Sequence, residues 1–303
     1  MKLNFRKIEL SDQKIYDRIL GKSHKFLGWE YSFAMIWTWD ADSQTYICEK
    51  GGTALVYTDF ESERTFFPPL LTDPAALPDA VETIADYCAA DNRKFSINGL
   101  TKEQAAVLDA DKYVIKTDRG DADYIYSAAD LINLTGKKYH AKRNFVNRFT
   151  AKYEYVFRDY AAADYPRVLD LYDRWYENAR HENNDLRADG MLSMERRVTE
   201  RTLAYADALR LKIAVIESGG KIIAFSANKT EANGVAFTLL EKGDVAYEGI
   251  YQAVNQMSAA RYFSGAELVN REEDMNVEGL RKAKLSYCPI MLLEKYSLTG
   301  REK

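Results

Sequence analysis

The segment Asn270-Arg271-Glu272-Glu273-Asp274 gathers an amide, a guanidinium and three carboxylates where the run Glu267-Leu-Val gives way to a helical pattern. In sheets joined by crossover helices, sites collect at the carboxyl ends of strands. Carboxylates crowded there suit proton abstraction, so Glu272 or Asp274 is the candidate base. Asn270, Arg271 and Lys282 are the candidate substrate contacts. Part of the pattern has a cheaper reading: Asp274 or Asn276 caps the helix, and Glu278 with Lys282 forms a favourable i, i+4 pair.

Further on, Lys282-Ala-Lys284-Leu-Ser-Tyr287-Cys-Pro289 leads into what reads as the last strand, Ile290 to Leu293. Lys284 can neutralise a phosphate or a developing oxyanion, and Tyr287 can donate a proton. The same residues also compose an ordinary helix C-terminus, where lysines complement the dipole and proline enforces extended chain. A third cluster is Lys137, Lys138, His140, Lys142, Arg143, Arg148 and Lys152, with Asn144 among them and no acid between. Lys137, Lys138, His140, Lys142, Arg143 and Asn144 are its candidate contacts to the phosphates of a nucleotide, a coenzyme or an RNA. A solvated helix face is the competing explanation.

Other chemistries lack their residues. There is no GxxxxGK[ST], HExxH, GxSxG or GxGxxG. Cys48, Cys88 and Cys288 are far apart and form no CxxC pair, so no metal site and no disulfide framework is expected. With 303 residues and a net charge of -4, the chain can bury one large core or two ordinary ones, and local patches decide its partners. The start, MKLNFRKIELSD, has no apolar signal-peptide region, and no stretch approaches the roughly 20 apolar residues of a membrane span. A soluble, cytoplasmic, bacterial-type protein is expected.

The elements that position these clusters come in two copies. Phe5-Arg6 with Asp12, Tyr16, Ile19 and Leu20 recurs as Phe157-Arg158 with Asp164, Val168, Leu171 and Tyr172, each reading as a strand, an Asp helix cap and an amphipathic helix. Tyr46 to Tyr57 matches Ala214 to Phe225, each a hairpin turning at Glu-x-Gly-Gly. Phe95-Ser-Ile-Asn98 then answers Glu267-Leu-Val-Asn270. The order predicts an α/β (α+β) chain of two mixed sheets covered by helices, divided at residues 1–150 and 151–303. Between the copies, a helix capped by Ser127 continues past Gly136 as a basic amphipathic linker helix over 136–152, with Phe145, Val146 and Phe149 as its apolar stripe.

Asp123-Tyr-Ile-Tyr126, Gly136-Lys-Lys-Tyr-His-Ala-Lys-Arg-Asn144 and Asn270-Arg-Glu-Glu-Asp274 with Glu278 to Pro289 resemble a bacterial family of paired GNAT-like (acyl-CoA N-acyltransferase) domains. That family is similar to the C-terminal domain of phosphatidylglycerol lysyltransferases and to Fem-type transferases. The resemblance implies an aminoacyl- or acyltransferase with no tightly bound cofactor. Its donor would be aminoacyl-tRNA or an acyl-CoA, and its acceptor a small molecule, a peptide or a lipid headgroup. It makes Lys284 the donor-binding or oxyanion-stabilising residue. A non-catalytic module binding RNA, a nucleotide or a protein is the alternative. The glycine-rich pyrophosphate loop of coenzyme A-binding GNAT enzymes is missing from both copies. Gly243-Asp-Val-Ala-Tyr-Glu-Gly249 stands in its place in the second copy, where Asp244 and Glu248 would repel an anion. Pro68-Pro69 stands there in the first, which is expected to be structural.

Overall fold

Glycine pairs set the first fixed points of both halves. Gly51-Gly52 (φ +60° and +84°) and Gly219-Gly220 (φ +56° and +76°) adopt the left-handed backbone that a two-residue hairpin turn requires. They join β-strands paired Lys50 opposite Thr53 and Ser218 opposite Lys221, the second hairpin carrying a bulge between Ile216 and Glu217. The computed structural model describes residues 3–21, 26–42, 44–60, 63–182 and 186–301.

In chain order the first half holds β1 (Arg6–Lys7), α1 (Gln13–Leu20), α2 (Phe33–Trp39), β2 (Thr45–Lys50), β3 (Thr53–Phe60), β4 (Glu63–Phe66) and β5 (Leu70–Leu71). It continues with α3 (Leu77–Ala90), β6 (Lys94–Leu100), α4 (Lys102–Ala106), β7 (Tyr113–Thr117), β8 (Asp123–Ser127), α5 (Ala128–Asn133) and α6 (His140–Lys152). The second half holds β9 (Val156–Asp159), α7 (Tyr165–Glu182), α8 (Leu186–Ala204), β10 (Lys212–Ser218), β11 (Lys221–Thr230) and β12 (Ala236–Gly243). It ends with α9 (Ile250–Tyr262), β13 (Leu268–Asn270), α10 (Glu278–Leu285), β14 (Met291–Leu293) and β15 (Tyr296–Gly300).

Two sheets result, with one pattern. The first runs β1-β2-β3-β4-β6-β15-β7, with β5 alongside β3; the second runs β9-β10-β11-β12-β13-β8-β14. In each, four antiparallel strands lead to one parallel step, β4 to β6 across α3 and β12 to β13 across α9. In each, the next strand is borrowed from a distant part of the chain. β15 inserts antiparallel between β6 and β7, and β8 pairs antiparallel with β13.

The repeat extends to side chains. Arg6 forks onto both oxygens of Asp12, and Asp12 also accepts from Glu9 N–H at 2.8 Å. Arg158 forks onto Asp164 in the same way, and Asp164 accepts from Ala161 N–H at 2.9 Å. The two aspartates were expected as helix caps. Each takes part in a capping box at the helical entry, and its carboxylate also forks with the arginine of the preceding strand, fastening strand to helix.

The borrowed strands move the division of the chain. One compact unit is Met1–Tyr124, Glu272–Arg281 and Leu292–Lys303; the other is Ile125–Arg271 and Lys282–Met291. The expected boundary near residue 150 therefore falls at Tyr124, and α6 belongs inside the second unit rather than to a linker. The strand expected to be last, Ile290 to Leu293, is followed by β15. The reason is backbone pairing: β8 and β15 satisfy their N–H and C=O groups in the sheet that their own half does not supply.

The core of the first unit includes Phe66, Val81, Ile84, Ile97 and Leu100, and Leu298 of β15 is fully buried among them. Just before β15, Lys295 is 6% exposed and reaches Glu30 Oε1 at 2.8 Å, Asp123 Oδ1 at 2.9 Å and Glu273 Oε2 at 3.3 Å. One ammonium faces three carboxylates. Burial pushes the Glu30 carboxyl from its ordinary 4.5 up to about 8, against the pull of Lys295. In the second unit, Phe149 of α6 packs with Ile216, Ile223, Ile250 and Val254.

Two outcomes follow for the first unit, which holds Trp29, Trp37 and Trp39 while the second holds Trp175. Leu298→Ala should destabilise it by about 2–4 kcal/mol, read as a lower urea midpoint of tryptophan fluorescence. Glu30 takes up a proton on folding, so its contribution is complete below the ordinary carboxyl pKa and fades as pH rises through about 8. The fluorescence midpoint should therefore fall between pH 5 and pH 8.5, and Glu30→Gln should flatten that slope. An unchanged slope in the variant would assign it to other groups.

Candidate functional site

In the second unit, the carboxyl end of β13, the C-terminal turn of α10 and one face of α6 bring cations onto a single buried ring. Lys142 Nζ lies 4.1 Å from the centroid of Tyr287, and the Arg271 guanidinium lies 5.1 Å from it. Arg271 also approaches the Tyr126 ring at 5.8 Å. The negative faces of the rings hold these charges in place.

Each group is fixed by a second contact. Lys142 Nζ donates to Ser286 Oγ at 2.6 Å. Arg271 donates to Glu241 Oε1 at 3.0 Å, and Asn255 Nδ2 donates to Glu241 Oε2 at 3.1 Å. Lys284 Nζ donates to the Arg271 carbonyl at 2.6 Å. The end of α10 closes through Ser286, Tyr287 and Cys288 N–H onto the Lys282, Lys284 and Leu285 carbonyls, and two hydroxyls add to it. Tyr126 donates to the Lys284 carbonyl at 2.9 Å, and Tyr139 donates to the Tyr287 carbonyl at 3.1 Å. Asn270 is buried in β13 opposite Ile125, and Lys282 is exposed on α10.

Charge balance sets the protonation states. Burial and the positive charge of Arg271 lower the pKa of Lys142. Burial raises the Tyr287 hydroxyl, so it keeps its proton at neutral pH and acts as a donor rather than a base.

The basic run is divided by the fold. Lys138 pairs with Asp130 at 2.9 Å, and Arg143 donates to the Leu134 and Gly136 carbonyls, closing the end of α5. Arg148 pairs with Glu248 at 2.7 Å, and Lys152 lies 3.8 Å from the same carboxylate. His140 and Asn144 are hydrogen-bonded to each other at 3.2 Å on the α6 surface, and Lys137 is exposed. Of the six expected phosphate contacts, Lys142 is the one shown against Tyr287.

The place of the pyrophosphate loop is filled from within. At the start of α9, Gly249 (φ +84°) lies so close to α6 that a Cβ would sit 2.5 Å from the Phe145 carbonyl oxygen. Glu248 N–H donates to the Tyr153 hydroxyl at 3.2 Å, and its carboxylate takes Arg148.

The carboxylates of 272–274 belong to the first unit. Asp274 is 0% exposed and accepts from Arg281 twice at 2.9 Å, from Tyr124 at 2.6 Å, from Arg119 at 3.1 Å and from Asn276 N–H at 2.9 Å. The Arg281 guanidinium holds it far below the usual carboxylate range. To act as a base it would have to compete with these donors, so its geometry is that of an anchor. It anchors a loop in which Glu272 (φ +58°), Met275 (+51°) and Asn276 (+60°) are all left-handed, costly for residues with a Cβ. Glu273 pairs with Lys295. Glu272 accepts from Tyr124 N–H through its carbonyl at 3.2 Å.

Glu241, Tyr126 and Ser286 were not expected at the site. Glu241 carries a signal, as an acid directly after the mostly apolar run Ala236-Phe-Thr-Leu-Leu. Ser286 carries none. Among the described residues, no group of three or more His, Cys, Asp or Glu is placed to hold a metal, and no helix is long and apolar enough to cross a membrane.

Comparison with known proteins places this arrangement. A conserved protein of unknown function from Bacteroides thetaiotaomicron is 28% identical and superposes over 99% of this chain and 100% of its own, with a TM-score of 0.90. L-PGS from Bacillus licheniformis shares the fold at 13% identity over 98% of this chain and 94% of its own, with a TM-score of 0.70. An uncharacterized protein of Mycoplasmoides gallisepticum is 23% identical over 176 residues, which are 57% of this chain and 54% of that protein, so the match spans about half of the relative. The architecture is that of two tandem GNAT-like domains. The model of the phosphatidylglycerol lysyltransferase C-terminal family matches residues 23–299, and the chain belongs to that family.

Proposed function

We propose that the chain is an aminoacyl- or acyltransferase whose donor end is held in the second unit. The family supports a transferase role. The observation that carries the reading is the gathering of Lys142 and Arg271 on Tyr287, with Lys284 on the Arg271 carbonyl and Glu241 as the carboxylate on Arg271. That excess of positive charge in a half-buried place suits a substrate that brings phosphate and develops an oxyanion.

In this mechanism an acceptor amine or hydroxyl attacks the carbonyl carbon of the activated donor. The carbonyl oxygen takes the negative charge, and Lys284 is positioned to stabilise it. The tetrahedral intermediate collapses with loss of the tRNA ribose hydroxyl or the coenzyme A thiol, and Tyr287 supplies a hydrogen bond to the departing group. The acceptor proton needs a base. Asp274 is committed to Arg281, which leaves Glu272 as the residue to test. No covalent enzyme intermediate is required.

The filled start of α9 favours aminoacyl-tRNA over acyl-CoA as donor, because coenzyme A chemistry on this fold uses that helix end for its pyrophosphate. The same feature favours a second reading, a non-catalytic module that binds RNA, a nucleotide or a protein. Transfer of labelled aminoacyl groups from charged tRNA, and of acetyl from acetyl-CoA, to amine, peptide and lipid-headgroup acceptors separates the readings. Lys284→Ala should lower turnover about 100-fold or more, and Glu272→Gln should lower kcat with little change in KM. Saturable binding of these donors without any transfer would establish the module instead.

A further inference from the structure

Lys142 is the unusual cation of the second unit. It is half-buried on α6, and among the described residues no carboxylate lies within ion-pair distance of it. Its ammonium donates to the Ser286 hydroxyl and rests on Tyr287, a ring it shares with Arg271. Two like charges on one ring repel each other, and burial sharpens the cost. Arg148 and Lys152, on the same helix, are answered by Glu248.

The other face of α6 explains why an anion would go to this place. Phe149 packs on Ile250 and Val254 of α9, and the Phe145 carbonyl lies against Gly249. The Phe145 carbonyl, the Tyr153 hydroxyl and the Arg148–Glu248 pair thus crowd the residues just before α9. One helix closes the usual phosphate position and, a turn away, presents an uncompensated lysine beside an arginine.

We propose that Lys142, held in place by the Ser286 hydroxyl, and Arg271 form a seat for a phosphate-type oxyanion, displaced from the start of α9. The donors come from two elements, the α6 ammonium and the fork of Arg271 after β13, while the Ser286 hydroxyl, which donates to the Ala283 carbonyl, accepts from Lys142 and fixes its position. Two cations attract a doubly charged phosphate more strongly than a singly charged carboxylate. The seat deepens the transferase reading by locating the donor's phosphate, and it rests on that reading only for whose phosphate it is.

The test is titration of the full chain with inorganic phosphate and with pyrophosphate, followed by calorimetry and phosphorus NMR at low ionic strength, with acetate as the singly charged comparator. Saturable binding of both phosphates, tighter than acetate, is expected. Lys142→Met should weaken it about tenfold and Lys142→Arg should retain most of it. Arg148→Met and Lys152→Met should change it less than about twofold, because those cations are already paired on the surface. Ser286→Ala, at an exposed position, is a second variant should Lys142→Met lose its circular dichroism; it should weaken phosphate severalfold. Absence of saturable binding, equal affinity for acetate, wild-type binding by Lys142→Met, or equal loss in Arg148→Met would each overturn the seat. Binding is read without turnover, so its failure removes the seat alone, whereas missing transfer activity removes the transferase reading alone.

Discussion

Each sheet contains a slot that its own half of the chain does not fill. Between β6 and β7, and beside β13, a strand must satisfy backbone groups on the neighbouring strands, and an unfilled slot would leave buried amides and carbonyls without partners. β15 and β8 meet that demand. Each borrowed strand fixes contacts within its own unit: in the second, β8 brings Tyr126 to the Lys284 carbonyl, and in the first, the turn before β15 brings Lys295 to Glu30, Asp123 and Glu273. Strand pairing between residues so far apart in sequence is costly in chain entropy, and the buried Leu298 and Lys295 contacts offset that cost at one end.

The chemistry is distributed against first appearances. Where carboxylates crowd, at 272–274, two of the three serve the architecture: Asp274 anchors a strained loop through Arg281, Tyr124 and Arg119, and Glu273 serves Lys295. Where basic residues crowd, along α6, most are spent on Asp130, on carbonyls that end a helix, or on Glu248. The imbalance that survives is local. Lys142 and Arg271 share a tyrosine, and Lys284 is tied to the backbone of Arg271.

The two halves keep a common frame and differ where a GNAT domain holds its donor. Both retain the arginine–aspartate fastening and the glycine hairpin. After β12 the second half has Glu248 and Gly249 packed under α6, whereas after β4 the first half turns at Pro68-Pro69 and adds β5 against Thr53 and Ala54. L-PGS shares this fold at 13% identity, so the fold by itself does not fix an activity.

Local features were legible in the sequence because local physics decides them. The Gly-Gly turns require positive φ, and Ser127 caps α5 through Asp130 N–H. Phe149 faces inward as the spacing implies, and the repeat was visible as paired motifs in one order. The tertiary structure decided which half each end strand joins, because β-pairing depends on open edges elsewhere and not on the strand's own residues. It also decided which charges remain uncompensated. A run of lysines and arginines reads the same whether or not carboxylates from distant segments reach it, and Glu248, Asp130 and Arg281 arrive only on folding. Residue types placed the site at the ends of β13 and α10. Three-dimensional charge balance selected Lys142 and withdrew Asp274.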